Sequence, residues 1–200
     1  MKIYYRLIVL IISFIWSFFI TTSLIDITQL CSTIKTSLVY ATSENFTRQQ
    51  IYSKNARCYL IESAAIALQN VQKDLIKDGL GLLIWDAYRP LSAQKKLWEI
   101  CPDERYVSDP RKGGRHTRGT AVDLTIVRLV DGKLLSMGTK HDDFSEKAHY
   151  NCLALSVEEK KNRVKLRTLM IVHGFEPFDN EWWHFDFKGW QNYPVLDMPL

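Results

Sequence analysis

The sequence predicts an α+β domain: a mostly antiparallel central sheet flanked by helices. Three observations predict it. Regular elements follow in the order helix, strand, helix, hairpin, helix, strand. Asp131-Gly132 between two apolar runs is a tight hairpin signal, which parallel doubly wound folds do not need. No internal repeat and no Pro/Gly/Ser linker divides residues 38–200.

Each element has its own warrant. From Leu60 to Asp78, apolar Ile61, Ala64, Ala65, Leu68, Val71 and Leu75 recur at helical spacing, and Gly79 ends the run. Leu80 to Trp85 is a short apolar stretch, read as a buried strand closed by Asp86. After the turn Ala87-Tyr88-Arg89-Pro90, Ser92 to Trp98 reads as a helix with proline at its start. Cys101 to Arg115 is polar and reads as loop. Thr120 to Val130 reads as a strand, and Lys133 to Met137 as its return partner across the hairpin. Thr139 to Tyr150 reads as loop. Ser156-Val157-Glu158-Glu159 matches a capping box opening a helix to about His173, which Gly174 ends. The aromatic stretch Trp182 to Phe187 reads as a strand.

Composition bounds the rest. The 200 residues are 46% hydrophobic and 24% charged, ordinary globular usage that excludes wholesale disorder. The net charge is +4, and Lys2 and Arg6 supply two of those positives. The body is therefore near neutral, and nucleic acid is not an expected partner. Lys2 and Arg6 flank an apolar run from Leu7 to Ile20, the pattern of a secretory signal. Residues 1–30 are read as a signal peptide or an N-terminal membrane anchor, with membrane association through residues 7–20 in the second case. Residues 38–200 are read as the folded domain. The expected location is outside the cytoplasm, in the periplasm. Cys31, Cys58, Cys101 and Cys152 form no CxxC pair, which excludes a cysteine zinc cage; disulfides and buried free thiols both remain open.

Two clusters carry chemistry. One runs from Arg115-His116-Thr117-Arg118-Gly119 to Asp123; the other is Glu181-Trp182-Trp183-His184. A hydrolytic zinc site needs three nitrogen or oxygen ligands, an open position for water, and a carboxylate that is not a ligand. His116, Asp123 and His184 supply the ligands, and Glu181 the base. Asp123 lies within an apolar strand, where a bare carboxylate is costly unless a cation sits beside it. Pairing of Asp123 with Arg118 or Arg128 is the competing reading. Glu181 and His184 are three apart, which on a regular strand puts them on opposite faces. Both reach one metal only if Glu181 sits on the incoming turn or the chain bends at Trp182-Trp183. His141, His149 and His173 are assigned no ligand role.

These motifs resemble the D-alanyl-D-alanine dipeptidase family of the vancomycin-resistance type. The matching stretches are Tyr40-Ala41-Thr42 with Asn45-Phe46-Thr47, Gly81 to Pro90, His116 to Leu124, Met137-Gly138 with Asp142, and Glu181 to His184. The resemblance implies one zinc ion per chain on the sheet, held by His116, Asp123 and His184, with Glu181 as catalytic base. It implies that Arg89 faces the scissile carbonyl and that Asp142 and Tyr40 hold the substrate ammonium. The implied activity is hydrolysis of D-alanyl-D-alanine in cell-wall peptide turnover. A carboxypeptidase or endopeptidase acting on longer peptidoglycan stems is the alternative, and a wall-binding module without turnover is a third. In one respect the chain departs from the family, which carries serine two residues before the first zinc histidine: here Gly114 and Arg115 precede His116.

Overall fold

The computed structural model describes residues 23–200. Of the signal or anchor expected over residues 1–30, residues 1–22 lie outside that range, whereas Leu24–Leu30 belong to the fold. The chain forms β1 (Leu24–Asp26), α1 (Ile27–Leu30), β2 (Lys35–Thr36), β3 (Tyr59–Ile61), α2 (Glu62–Ile76), β4 (Leu80–Asp86), α3 (Leu91–Ile100), β5 (Ala121–Arg128), α4 (Val157–Val172), β6 (Phe175–Phe178) and β7 (Glu181–Phe187). A five-stranded sheet runs β2-β4-β5-β7-β6, and β1 pairs with β3 in a separate ribbon. Among the described residues only the β2–β4 pairing is parallel. Among the described residues no helix is long and apolar enough to cross a membrane.

The predicted helices form for the predicted reasons. Helix α2 buries Ala64, Ala65, Leu68, Val71 and Leu75 on one face, and Gly79 adopts φ +71°, which favours glycine. Its buried Gln72 accepts a hydrogen bond from the Leu82 amide at 2.8 Å, pinning the helix to β4. Helix α4 opens with the full capping box, Ser156 and Glu159 each satisfying the other's backbone. Both helices join the sheet around one core that includes Leu82, Leu124, Leu166, Phe175 and Trp183. A smaller cluster of Tyr40, Tyr52, Ala93, Leu97 and Val107 sits under α3. All four cysteines are free thiols in this structure, and only Cys58 among them is buried.

Two expectations are corrected. Lys133–Met137 forms no return strand; a single bridge, Val127 to Leu134, is all that pairs. The turn at Gly132 is made, but helix α4 then claims the returning backbone. Asn162 donates to the Ser136 carbonyl at 2.9 Å and Arg163 to that of Met137 at 2.6 Å. Those carbonyls are satisfied away from β5, so the ladder stops. The fold also starts upstream of residue 38. Leu24–Asp26 pair with Tyr59–Ile61, Lys35–Thr36 pair with Leu83–Ile84, and Ile27 is fully buried. These strands are two or three residues long and carry no periodicity, so the sequence alone does not reveal them.

Candidate active site

The site lies at one end of the sheet. Asp123 in β5 faces His184 in β7 as a register partner, and Asp86 at the end of β4 faces Asp123 from the other side. His116 arrives on the helical turn 116–118 just before β5. Gly119, at φ +68°, reverses the chain between His116 and Asp123. A Cβ there would meet Leu24 Cδ2 at 2.8 Å, so the β1–β3 ribbon packs directly against this turn.

One donor atom each from His116, Asp123 and His184 lie within 4.8 Å of one another. His116 Nε2 is 3.5 Å from Asp123 Oδ2, and His184 Nδ1 is 2.9 Å from Asp123 Oδ1. The far nitrogens are anchored. His116 Nδ1 lies 2.6 Å from the Ala87 carbonyl, which only accepts, so this nitrogen carries the proton. His184 Nε2 lies 3.0 Å from Asp186 Oδ1 and donates in the same way. Those tautomers turn two imidazole lone pairs toward a carboxylate across a few ångströms. A cation between them resolves the conflict, so the donor set fits a metal. The competing arginine pairings fail: Arg118 donates to the Tyr193 carbonyl and Arg128 pairs with Asp131.

Glu181 meets the geometric demand through a bulge. Pro177 pairs with Phe185, but Phe178 pairs with Glu181, so β7 carries extra residues between these pairs. Glu181 Oε2 thereby comes to 4.0 Å from His184 Nδ1. Burial pushes the Glu181 carboxyl up to about 7; His184 opposes the shift, while the Asp123 and Asp142 carboxylates add to it. A carboxyl tuned to that range suits proton transfer at neutral pH.

The residues named through the resemblance also converge. Arg89, Tyr40, Asp142, Glu181 and the three metal candidates all line one cavity of about 110 Å³. Arg89 is buried, with Nη2 and Nε donating to Asp86 Oδ2 at 2.6 and 3.1 Å. Its Nη1 donates to Gln94 Oε1 at 2.8 Å, and the guanidinium lies over the Tyr40 ring. Tyr40 donates its hydroxyl to Asp142 Oδ2 at 2.9 Å. Burial and the Asp142 charge hold that phenol well above its usual range, so it remains a donor. Asp142 adopts φ +55°, a left-handed conformation that aspartate tolerates better than most residues. A larger cavity of about 790 Å³ borders Asp142 and Phe46 but contains none of His116, Asp123, His184 or Glu181.

Several contributors escape the sequence reading. His141 places Nε2 3.3 Å from Asp123 Oδ2 and 3.4 Å from Asp142 Oδ1, bridging the two carboxylates, with its ring beside Trp85. Burial alone would lower its pKa, but the Asp142 and Asp123 carboxylates raise it to about 9. Asp86 and Gln94 brace Arg89, and Asp186 braces His184. Asp86 had a local signal, the Asp-x-x-Arg spacing that brings two side chains together across the turn. His141 had none, since it reaches Asp123 only through the fold. Arg115 points to Asp186, 2.9 Å away, and lies over Trp190.

A carboxylate near a cluster of metal-ligand type, with a buried guanidinium across a small polar cavity, defines a peptide hydrolase. Comparisons with known proteins agree. The family model described as D-ala-D-ala dipeptidase matches residues 20–196, and the chain belongs to that family. The chain is 39% identical over 176 residues to the D-alanyl-D-alanine dipeptidase of Escherichia coli strain K12, covering 88% of this chain and 90% of the relative. It is 32% identical to the D-alanyl-D-alanine dipeptidase of Enterococcus faecium over 183 residues, covering 80% of this chain and 90% of the relative. The Streptomyces coelicolor protein of the same name is 33% identical over 183 residues, covering 80% and 89%.

Proposed function

We propose that the protein is a zinc-dependent dipeptidase that hydrolyses D-alanyl-D-alanine to two D-alanines. The observation that carries this reading is the convergence of His116, Asp123, His184 and Glu181 with Arg89 on one small cavity. His116, Asp123 and His184 hold the metal; two imidazoles and a carboxylate without thiolate suit zinc. Bound there, the ion would supply Lewis acidity to the scissile carbonyl and to the attacking water.

The chain's own groups do the rest. Glu181 takes the proton from the attacking water and returns it to the leaving amine. The Arg89 guanidinium, fixed by Asp86 and Gln94, faces the oxygen on which negative charge develops. Asp142, oriented by Tyr40, receives the substrate ammonium. The cavity is small, and Asp142 and Tyr40 stand in its lining, which favours a free dipeptide over a longer stem.

Kinetic assay of the zinc-loaded protein with D-alanyl-D-alanine and with an N-acylated tripeptide tests this, and turnover of the dipeptide alone is expected. Glu181→Ala should keep its zinc by elemental analysis and lose about 10²-fold or more in kcat. Undiminished turnover in that variant refutes the assignment. The basic start and apolar run of residues 2–20 support export, where the dipeptide comes from wall turnover. Cell fractionation should find the enzyme outside the cytoplasm, and a cytoplasmic pool overturns that part.

A further inference from the structure

The reaction cavity has two ends of different chemistry. At one, Asp142 and Phe46 form a wall shared with the 790 Å³ cavity. At the other, Glu104, Ser108 and Arg115 are shared with an outer groove of about 290 Å³. The large cavity and the groove have no lining residue in common, so these ends are distinct places. A free dipeptide carries an ammonium at one end and a carboxylate at the other. With the ammonium at Asp142, as the proposed function has it, the carboxylate belongs at the end marked by Ser108.

The charged side chains there already have neighbours of opposite charge. Arg115 pairs with Asp186 and covers the Trp190 ring, Lys112 holds Glu104, and Arg105 holds Asp103. Ser108 brings a neutral hydroxyl on a fixed backbone. Its flanking residues Val107 and Asp109 are buried, and its carbonyl accepts from Gln94 Nε2 at 2.7 Å. The same Gln94, 1% exposed, accepts from Arg89 Nη1 through its Oε1. Arg89 and the Ser108 backbone are thus held by one buried amide. Gly114 provides the room. A Cβ at 114 would sit 3.4 Å from Ser108 Cβ and 3.6 Å from its Oγ, ordinary contact distances. The glycine therefore leaves open a side-chain volume that the Ser108 hydroxyl borders.

We propose that Ser108 is a specificity-determining residue whose hydroxyl donates to the C-terminal carboxylate of the dipeptide, in space left open by Gly114. The inference rests on the functional reading above, and its test separates the two. Steady-state kinetics on D-alanyl-D-alanine should show KM raised about tenfold in Ser108→Ala, the effect of one lost hydrogen bond to a charged group, with kcat nearly unchanged. For the C-terminal amide of the same dipeptide, the two KM values should draw together. The double variant Ser108→Ala/Gly114→Ser returns a hydroxyl from the neighbouring backbone and should recover most of the lost affinity. An unchanged KM in Ser108→Ala, an equal loss with the amide, or a double variant as poor as the single one overturns the proposal. Absence of turnover by the wild-type enzyme would remove the functional reading along with it, whereas turnover with an unaltered KM removes this inference alone.

Discussion

At the scale of single residues, the site depends on side chains that hold other side chains. Arg89 is buried against Asp86, which also accepts the Tyr52 hydroxyl at 2.8 Å. A buried pair of this kind adds little net stability when intact, yet breaking one half strands a charge. Asp86→Asn is therefore expected to cost about 3 kcal/mol or more in urea denaturation. It should also lower kcat, because Arg89 loses its brace. The residues proposed to act on the substrate were legible, since their types and spacings suit one shared chemistry. Those behind them were not. His141 and Asp186 are ordinary polar residues until folding sets them against Asp123 and His184.

At the scale of elements, long periodic segments were readable and short pairings were not. Helix α2 carries a periodic apolar face closed by Gly79, and α4 carries a full capping box. The ribbon of β1 and β3 has only three residues a side, too few for any pattern, yet it supports the turn that carries His116. Asp26 caps α1, accepting from Thr28 and Gln29, with the Arg57 guanidinium alongside. Burial pushes the Asp26 carboxyl up, but those hydrogen bonds and Arg57 together hold it below its usual value. A depressed folded-state pKa contributes stability above the ordinary value of about 3.9, and that stability is lost as pH falls through the lowered one. Asp26→Asn retains an acceptor for the cap but removes the charge. In acid denaturation followed by circular dichroism, wild-type should lose stability more steeply than this variant between about pH 5 and 3.

At the scale of the whole molecule, segments from Tyr40 to His184 meet at one end of the sheet, so binding there reports on the entire fold. Zinc bound to the native state alone stabilises it by mass action, about 4 kcal/mol at a thousandfold excess over Kd. Chelation should therefore abolish turnover and lower Tm together, and added zinc should restore both. A Tm indifferent to chelator would show that His116, Asp123 and His184 hold no ion. Both pairing irregularities of the five-stranded sheet, at Trp85 in β4 and between Glu181 and Phe185 in β7, fall at this same end. The neighbourly placement of Glu181 and His184 is thus a matter of how many residues the chain spends between two fixed points, not of which residues they are. Exchanging either tryptophan for another bulky side chain leaves that count intact. Removing one residue between them turns Glu181 or His184 outward, so this stretch tolerates a change of spelling but not of length.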